Sequence, residues 1–387
     1  MKSIHTLGQY FTTNLDLKKK LVEMIKNDPI LILEPSIGQG DLINAVKERF
    51  PLTTFDMYEI DEKIELLDGI NKNEVHYGDF IVKEITKKYK TIIGNPPYVK
   101  TKKGNLHIDF TEKCYELLDD DGELIFIVPS DFLKLTSSGK LLEKMMSSGS
   151  ITHIYHPNKE NLFKNASVDV IIFRYCKNNL LEKVVLFNNE LKYITINSGF
   201  ITFSVEKINE DRRIISDYFD VYVGQVSGNE NILKNRKFGN VDILNGENDV
   251  DKYIMVKNFP TENEELNDYL LQHKEKLISR GIRKFNDKNW YEFGLLRNSR
   301  VIDSHYGKEC IYIKNITRHN IVAFIGSVSY FGGGLIMLLP KKENLTNLVE
   351  YFNSDIFKEN FTFSGRFKIG QRQISYSYMP NSYIINL

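Results

Sequence analysis

The first half of the chain alternates short apolar runs with segments of helical periodicity, and this alternation restricts the possible folds more than any other feature. One helical segment follows a capping residue, Asn14, and others cover 108–118 and 138–147. The predicted strands are residues 30–33, 55–58, 74–77, 91–94, 123–128, 151–156 and 168–175. Helices between the first six strands and a hairpin at the end predict an α/β fold with a doubly wound, mostly parallel, seven-stranded sheet. Ligands of such sheets bind at the carboxyl ends of the strands.

The character of the sequence changes near residue 206. Beyond it the alternation fades and Gly, Asn and aromatic residues become frequent, so we expect a second, irregular α+β domain over 206–387 after a first domain over 1–205. The segment Leu271–Arg300 holds eight Lys or Arg against three acids, and no acid occurs from Asn360 to the C terminus. The whole chain has 51 basic and 51 acidic residues. Binding to a polyanion must therefore use local basic surfaces rather than bulk charge.

The sequence has no feature of a secreted, disulfide-bonded or membrane-spanning protein. Its three cysteines are too few for a four-cysteine zinc cluster and too widely spaced for a disulfide framework. There is no run of about eighteen apolar residues and no signal-peptide core. We therefore expect a soluble, cytoplasmic protein that uses no metal and has no membrane partner. His153 and His156 share a predicted strand without further ligands and are interpreted as structural.

Glycines and acids follow the first three predicted strands. The first strand closes on a turn whose glycines let a backbone approach a ligand closely, Glu34-Pro35-Ser36-Ile37-Gly38-Gln39-Gly40. Ile43 stands where the dinucleotide-binding fingerprint requires its third glycine, which argues against a pyrophosphate ligand. Glu59, followed by Ile60, ends the second strand and can accept hydrogen bonds from ribose hydroxyls. Asp79 ends the third strand and can accept a bond from an adenine amino group, while Phe80 packs against the ring. Together these residues predict an adenosine-bearing cofactor without a pyrophosphate.

The most specific motif, Asn95-Pro96-Pro97-Tyr98, ends the fourth predicted strand. Because proline has a fixed φ and no N–H, the two prolines impose a rigid turn that holds their neighbours in place. The Asn95 amide oxygen and the Pro96 carbonyl are two hydrogen-bond acceptors beside the aromatic ring of Tyr98. This combination suits a planar amino group conjugated to a ring, since two accepted bonds favour an electron-rich nitrogen as charge develops in the transition state.

In this order the motifs resemble the amino-group DNA methyltransferases that use S-adenosyl-L-methionine, specifically the gamma class of adenine-N6 enzymes from type II restriction–modification systems. Leu7-Gly8-Gln9-Tyr10-Phe11-Thr12 is similar to the family's N-terminal cofactor motif, and Asn95–Tyr98 matches its catalytic tetrapeptide without a departure. The resemblance implies cofactor contacts from Tyr10, Thr12, Glu34, Pro35, Ser36, Gly38, Gly40, Glu59, Ile60, Asp79, Phe80, Asn95, Pro97 and Phe110. It implies catalytic roles for Asn95, Pro96, Pro97, Tyr98 and Phe163, the last as a second aromatic residue against a flipped base. Ile37 departs from the small or polar residue of many relatives, and we expect it to affect packing rather than activity.

The resemblance also implies that the second domain recognises a short sequence in double-stranded DNA. Its weaker matches are Val223–Asn229, Asn289–Gly294 and the basic, aromatic C terminus. The candidate DNA contacts are Lys100, Lys102 and Lys103 after the tetrapeptide, and Arg297, Arg300, Arg366, Lys368 and Arg372 in the second domain. A monomer suffices for one strand at a time, and a cognate restriction endonuclease is a possible partner.

Three alternatives remain open at this point. The tetrapeptide also occurs in methyltransferases that modify a glutamine of translation release factors, but those proteins place a helical domain before the glycine-rich loop, where this chain has only about thirty residues. An RNA adenine methyltransferase could use the same pocket on a single strand. In the third alternative, an inactive first domain supports a DNA-binding module. The sequence does not reveal which DNA sequence is recognised.

Overall fold

The structure, a computed structural model of the 387-residue chain, describes residues 10–100, 104–163, 167–180, 183–205, 207, 213–341, 346–363 and 365–379. The chain divides into two compact units, Met1–Glu210 and Asp211–Leu387. In the part of the chain that is described, no helix has the length and apolar character that crossing a lipid bilayer requires.

The first unit is built on one mixed sheet. Its strands are β1 Leu31–Glu34, β2 Thr54–Glu59, β3 Val75–Tyr77, β4 Tyr89–Gly94, β5 Leu118–Pro129, β6 Gly149–Tyr155, β7 Val170–Lys177, β8 Val184–Phe187, β9 Glu190–Asn197 and β10 Phe200–Ser204. They lie in the order β10-β9-β8-β6-β7-β5-β4-β1-β2-β3. Strands β1 to β5 pair in parallel, whereas β7 runs antiparallel to both β5 and β6. Each of the seven predicted strands is present, and the final hairpin is confirmed.

Helices cover both faces of this sheet, which confirms the doubly wound prediction. They are α1 Leu15–Met24, α2 Asp41–Arg49, α3 Leu106–Leu117 and α4 Gly139–Ser148. Side chains alternate along each strand, so Ile125 and Ile127 pack with α1 and α2, while Leu124 and Phe126 pack with α3 and α4. Helix α1 begins where the sequence predicts, because the Asn14 side chain accepts a hydrogen bond from the Leu17 N–H at 3.1 Å.

The prediction of seven strands is wrong in number, because the sheet continues through β8, β9 and β10. Two-residue turns connect these strands, Asn188-Asn189 and Ser198-Gly199, and all four residues have positive φ. Such turns match the right-handed twist of antiparallel strands and are a strong hairpin signal. The second turn packs against the start of α4 so closely that a Cβ on Gly199 would lie 2.6 Å from the Gly139 Cα atom. The extra hairpins are therefore part of the first unit.

The second unit is an α+β assembly of small antiparallel sheets. Its strands are β11 Phe219–Val223, β12 Val241–Gly246, β13 Asp249–Tyr253, β14 Glu309–Lys314, β15 Ile316–Thr317, β16 Ala323–Ser327, β17 Leu335–Pro340, β18 Thr362–Phe363 and β19 Arg366–Lys368. They form a four-stranded sheet in the order β11-β17-β14-β16, a β12-β13 hairpin and a β15-β19-β18 sheet. Its helices are α5 Ile215–Tyr218, α6 Glu230–Leu233, α7 Glu264–Gln272, α8 Lys274–Ile278, α9 Ser299–His305, α10 Thr346–Asn353, α11 Asp355–Lys358 and α12 Gln371–Ser375.

The aromatic residues of the predicted recognition motifs form the core of this unit. Trp290 and Phe293 are 3% and 4% exposed and pack with the β12-β13 hairpin. Phe361 and Phe367 are buried beside the four-stranded sheet. The composition that made this half look irregular therefore reflects short strands around a well-packed aromatic interior.

Candidate active site

The motif residues of the first unit meet at one edge of the sheet. Glu34, Glu59 and Gly94 end the neighbouring strands β1, β2 and β4, and Tyr77 ends β3 opposite Glu59. Because parallel strands present their carboxyl ends together, the glycine-rich turn, the two acids and the tetrapeptide are brought to a single edge.

The glycine-rich turn needs its glycines for conformational reasons. Gly38 and Gly40 have φ values of +58° and +95°, which residues with a Cβ rarely adopt. A Cβ on Gly40 would also lie 2.7 Å from Ile70 Cγ1. Between the glycines, Ile37 is buried against Ile43 and Met57, so its role is packing. The turn thus presents backbone to the edge of the sheet and apolar atoms to the core.

Glu34 is a fully buried carboxyl group at the base of this turn. It is 1% exposed and accepts a hydrogen bond from the Ser36 N–H at 3.1 Å. Burial raises its pKa to about 8, against the opposing effect of the Ser36 bond and with a small further rise from Glu59. Gly94 makes room for it, since a Cβ there would lie 3.0 Å from Glu34 Oε1. Glu34 is consequently neutral at pH 7.

Glu59 fastens the turn to the end of β2. Its Oε2 accepts from the Gly38 N–H, and its Oε1 accepts from the Ile60 and Asp61 N–H groups, all at 2.9 Å. Burial raises its pKa, and the three backbone bonds oppose that rise. An ionised carboxylate has about four acceptor positions. The three backbone N–H groups use three of them, which leaves one position on Glu59 for a further hydrogen bond.

Asp79 and Phe80 differ in their surroundings although they are adjacent. Asp79 is exposed, and its Oδ1 accepts from the Ile81 N–H at 2.9 Å. Phe80 is 2% exposed and stacks on Phe110 of α3, with ring centroids 5.4 Å apart. The structure therefore brings the two predicted aromatic residues, Phe80 and Phe110, into contact with each other.

Asn95 has its amide orientation fixed by the N-terminal motif. Its Nδ2 donates to the Tyr10 carbonyl oxygen at 2.7 Å and to Thr12 Oγ1 at 3.0 Å. Since a carbonyl oxygen can only accept, Nδ2 must face Tyr10, and Oδ1 is the end that faces away. That Oδ1 accepts from the Tyr98 hydroxyl, which also lies 3.2 Å from the Ile127 carbonyl oxygen. Tyr10 and Thr12, predicted as cofactor contacts, are thus direct partners of Asn95.

Three aromatic rings pack together around the tetrapeptide. Tyr10 stacks on Tyr98 with centroids 5.2 Å apart, and Phe163 lies 5.8 Å from Tyr10 and 6.1 Å from Tyr98. Burial, with a smaller contribution from Tyr10, raises the pKa of Tyr98 well above its usual value. The Tyr98 phenol is therefore a neutral hydrogen-bond donor at any physiological pH.

His107, in the first turn of α3, is a member of this cluster that the sequence analysis missed. Its ring lies edge-on to Tyr98, with centroids 6.2 Å apart and an angle of 89° between the planes. Its one detectable signal was its spacing, three residues before Phe110, which places both on the same face of a helix.

The predicted DNA contacts are exposed to different degrees. Lys100 is exposed, whereas Lys102 and Lys103 lie outside the described residues. In the second unit, Arg297, Arg300, Arg366 and Lys368 are exposed and Arg372 is half-buried. The Gln225 side chain holds the backbone of Arg297 through two hydrogen bonds of 2.6 and 2.7 Å. The motif around Gln225 therefore fixes the chain that carries Arg297.

Two other arginines of the basic segment Leu271–Arg300 have structural roles. Arg280 is 5% exposed and donates to the carbonyl oxygens of Leu277, Ser227, Trp290 and Glu292 at 2.8–2.9 Å. Arg283 pairs with Glu292 at 2.6 Å and also donates to the Gly294 carbonyl oxygen. Only part of the positive charge in this segment is thus directed to the surface.

The histidine of β6, His153, and the one just after the strand, His156, take part in local bonding. His156 is 3% exposed, with its Nε2 2.9 Å from Asp169 Oδ1, and His153 Nδ1 lies 3.0 Å from Thr152 Oγ1. Within the described ranges, no group of three or more His, Cys, Asp or Glu side chains could hold a metal ion.

Comparisons with known proteins address the first unit most directly. Residues 12–163 match the model of the family described as Eco57I restriction-modification methylase. The Type II methyltransferase M.HincII of Haemophilus influenzae is 31% identical over 209 residues, which span 48% of this chain and 40% of that protein. The Modification methylase CviBIII of Paramecium bursaria Chlorella virus NC1A is 36% identical over 145 residues, which span 32% of this chain and 38% of that protein.

A solved structure extends the likeness of fold beyond the first unit. The cryo-EM structure of a DrdV–DNA complex has a TM-score of 0.52 and covers 89% of this chain and 50% of that chain, at 10% identity. The present chain spans about two fifths of the length of the two curated relatives. The residues that match the family model include the glycine-rich turn, Glu59, Asp79, the tetrapeptide and Phe163. Residues 12–163 of this chain are therefore similar to the Eco57I restriction-modification methylase family.

Proposed function

We propose that this protein is a site-specific DNA methyltransferase that uses S-adenosyl-L-methionine to methylate N6 of a flipped-out adenine in a short duplex sequence. The observation that carries the proposal is the fixed amide of Asn95 at the carboxyl end of β4. Its Nδ2 is held by Tyr10 and Thr12, so its oxygen is directed as an acceptor toward the aromatic cluster. An amino group is the substrate that such an acceptor suits.

The tetrapeptide acts on the adenine amino group by accepting hydrogen bonds from it. The Asn95 amide oxygen and the Pro96 carbonyl oxygen accept one hydrogen bond each, which favours the electron-rich, tetrahedral nitrogen of the transition state. The rigid Pro96–Pro97 turn holds the two acceptors without reorganisation. S-adenosyl-L-methionine, when bound, supplies an activated methyl group on a sulfonium. No residue of the cluster needs to act as a general base, since the proton can leave after methyl transfer.

The cofactor fits the groups at the ends of β1, β2 and β3. The turn at Gly38 and Gly40 lets the backbone approach it closely, and Glu59 has one acceptor position left for a ribose hydroxyl. Asp79 is exposed at the end of β3 and can accept from an adenine amino group. The exposed Ile60 supplies apolar surface for the adenine ring, whereas contact of the ring with Phe80 or Phe110 requires their buried stack to open.

The aromatic cluster suits a base taken out of the duplex. Flipping costs roughly a few kcal/mol of unstacking, and an aromatic contact with the extruded base returns about 1–3 kcal/mol. Tyr98 and Phe163 already contact each other at 6.1 Å, beside the acceptor oxygen of Asn95. We infer that they separate to admit the base between them.

The second unit is proposed as the target-recognition domain, with residues 1–205 catalytic and 206–387 reading DNA. Its proposed phosphate or base contacts are Arg297, Arg300, Arg366 and Lys368, and Lys100 is a proposed contact from the first unit. We propose a monomer that shares its recognition sequence with a cognate restriction endonuclease.

The test is expression in a bacterial host that lacks its own DNA methylation, followed by single-molecule sequencing of the host DNA. Wild type is expected to give N6-methyladenine in one short sequence. Asn95→Ala is expected to give none, because it removes the acceptor. Asn73→Ala, at an exposed asparagine of the same unit, is the matched control and is expected to behave as wild type.

Two results would contradict the proposal. Methylation that persists in Asn95→Ala would exclude the tetrapeptide as the catalytic group. Unmodified host DNA, from a protein that is folded and binds S-adenosyl-L-methionine by calorimetry, would exclude duplex DNA as the substrate. Structured RNA would then be the next substrate to assay.

A further inference from the structure

His107 is held beside the tetrapeptide by contacts between residues 99–100 and 105–106. The Leu106 N–H donates to the Val99 carbonyl oxygen at 2.9 Å, and Lys100 and Asn105 form an antiparallel β-bridge. The first turn of α3 is thereby fixed next to Tyr98. His107 is 4% exposed and lies edge-on to Tyr98 and to Phe132, at 6.2 and 6.1 Å.

The ring nitrogens of His107 have no hydrogen-bond partner among the described residues. Burial lowers its pKa to about 4, so at neutral pH the ring is uncharged, with one N–H donor and one acceptor nitrogen. A buried polar atom without a partner is costly, and native structures contain few of them. A phenylalanine or leucine would fill the same space without this cost, so packing does not account for a histidine here.

Another buried histidine of the same unit shows the contrast. His156, at the end of β6, is as buried as His107, and its Nε2 lies 2.9 Å from the Asp169 carboxylate. That arrangement is what a structural histidine requires, because the buried polar atom has a partner within the fold. In the described part of the chain His107 has no such partner, although it is surrounded by protein.

The position of His107 on α3 assigns it to the proposed base pocket rather than to the cofactor. His107 and Phe110 are three residues apart on one helix face, yet Phe110 contacts Phe80 beyond the end of β3. His107 instead contacts Tyr98 after β4 and Phe132 after β5. Since β4 and β5 lie on the opposite side of β1 from β2 and β3, the two residues serve different halves of the site.

We propose, on the basis of the function proposed above, that His107 is a base-binding residue whose imidazole N–H donates to N1 of the target adenine while Asn95 accepts from N6. N1 is a ring acceptor next to the carbon that bears the amino group. One edge of the adenine can therefore hydrogen-bond to both His107 and Asn95. The hydrogen bond supplies the partner that His107 lacks among the described residues, and it orients the ring so that N6 faces Asn95 and Pro96. Nothing is oxidised and no proton is transferred in this contact.

The test is a double-mutant cycle between the protein and the base. Duplexes carrying the mapped recognition sequence contain adenine, 1-deazaadenine or 7-deazaadenine at the target position, and single-turnover methylation is measured with wild type, His107→Phe and His107→Gln. Wild type is expected to be about tenfold slower on 1-deazaadenine, the effect of losing one hydrogen bond, and nearly unchanged on 7-deazaadenine. His107→Phe is expected to be about tenfold slower on adenine and to show a 1-deaza effect about tenfold smaller than that of wild type. His107→Gln keeps an N–H donor and is expected to remain sensitive.

Electronic effects of the deaza substitution act on every variant and cancel in the cycle. His153→Phe, on β6, is the matched control and is expected to retain the wild-type pattern. The melting temperature of His107→Phe is expected to rise, because an unpaired buried polar group has been removed, while its activity falls. If the 1-deaza effect is the same in wild type and His107→Phe, the contact does not exist and the proposal is wrong. If wild type methylates no adenine, the proposed function itself has failed.

Discussion

Asn95 uses the two ends of its amide for different purposes. The Nδ2 end is bound by the Tyr10 carbonyl oxygen and Thr12 Oγ1, which belong to the chain before α1. The Oδ1 end is bound by the Tyr98 hydroxyl, a group of the same tetrapeptide. The first pair of bonds orients the acceptor, whereas the second uses one of its two lone pairs. In the proposed reaction the Tyr98 hydroxyl therefore competes with the adenine amino group for Oδ1.

Tyr98→Phe is therefore expected to keep or increase methyl transfer, by up to about tenfold, because it retains the ring and no longer competes for the Asn95 oxygen. Tyr98→Ala removes the ring, and its rate is expected to fall by about 5- to 150-fold, corresponding to about 1–3 kcal/mol of stacking. Single-turnover rates on the mapped duplex distinguish the two variants. Equal losses in Tyr98→Phe and Tyr98→Ala would show that the hydroxyl itself is needed.

Glu34 makes the stability of the first unit depend on pH. Its pKa is about 8 in the folded protein and is raised by burial, so the folded state holds a proton that the unfolded state releases near the ordinary pKa. The stability that Glu34 contributes to the folded state is therefore fully present below about pH 4.5 and is lost as pH rises through about 8.

Glu34→Gln is expected to remove this dependence. Between about pH 5 and 8, the unfolding free energy of wild type should fall relative to the variant by about 1.4 kcal/mol for each pH unit. Urea denaturation at several pH values measures this difference. The exposed Glu48→Gln is the control, and the same slope in both variants would mean that Glu34 is not the group responsible.

At the scale of elements, one buried carboxylate on strand β5 joins that strand to its neighbours β4 and β7 and to the end of α1. Glu123 is 0% exposed, and its Oε2 accepts from Arg174 Nε on β7 at 2.7 Å. Its oxygens also accept from the Lys26 and Asn27 N–H groups just after α1 and from the Thr91 hydroxyl on β4, each at 3.1 Å. One side chain therefore joins a helix end and three strands.

Glu123→Ala is expected to destabilise the first unit by about 3–5 kcal/mol, since it leaves the buried Arg174 charge without its partner. Replacing both residues, as Glu123→Leu with Arg174→Leu, should recover much of that loss. Glu116→Ala breaks an exposed pair with Lys144 and should cost about 1 kcal/mol or less. Chemical denaturation compares all of these variants. A small effect of Glu123→Ala, similar to that of Glu116→Ala, would show that solvent reaches Arg174.

The elements that the sequence predicted best were those with local signals. The Asn14 cap, the alternation along β5 and the buried runs of β1 and β4 depend on near neighbours in the chain. The hairpins through β10 also have a local signal, Asn188-Asn189 between alternating runs, although the seven-stranded prediction omits them. The partner of Asn95 could not be predicted, nor could the absence of a His107 partner among the described residues, because each depends on which residues the fold brings together over long separations in sequence.

At the scale of the whole molecule, the total charge is neutral, and the positive residues have two different roles: some stabilise the fold and others lie on the surface. In the second unit, Arg280 is buried and saturated with carbonyl oxygens, so it stabilises the fold. Arg366 and Lys368 flank the buried Phe367 on β19, and the alternation of a strand places both on its exposed side. The number of basic residues in a segment therefore overstates what is available to DNA.

Replacing Arg366 and Lys368 by alanine together is expected to weaken DNA binding and to lower its salt dependence. If each contacts one phosphate, the slope of the logarithm of affinity against the logarithm of salt concentration should decrease by about 2, since each contact contributes about 0.9. The matched control, Lys237→Ala with Lys252→Ala, removes two exposed lysines that pair with Glu265 and Asp242 and should leave the slope unchanged. Fluorescence anisotropy with the mapped duplex, from low to physiological salt, measures both slopes. Equal slopes for the two double variants would show that β19 does not touch DNA, because only net charge would then matter.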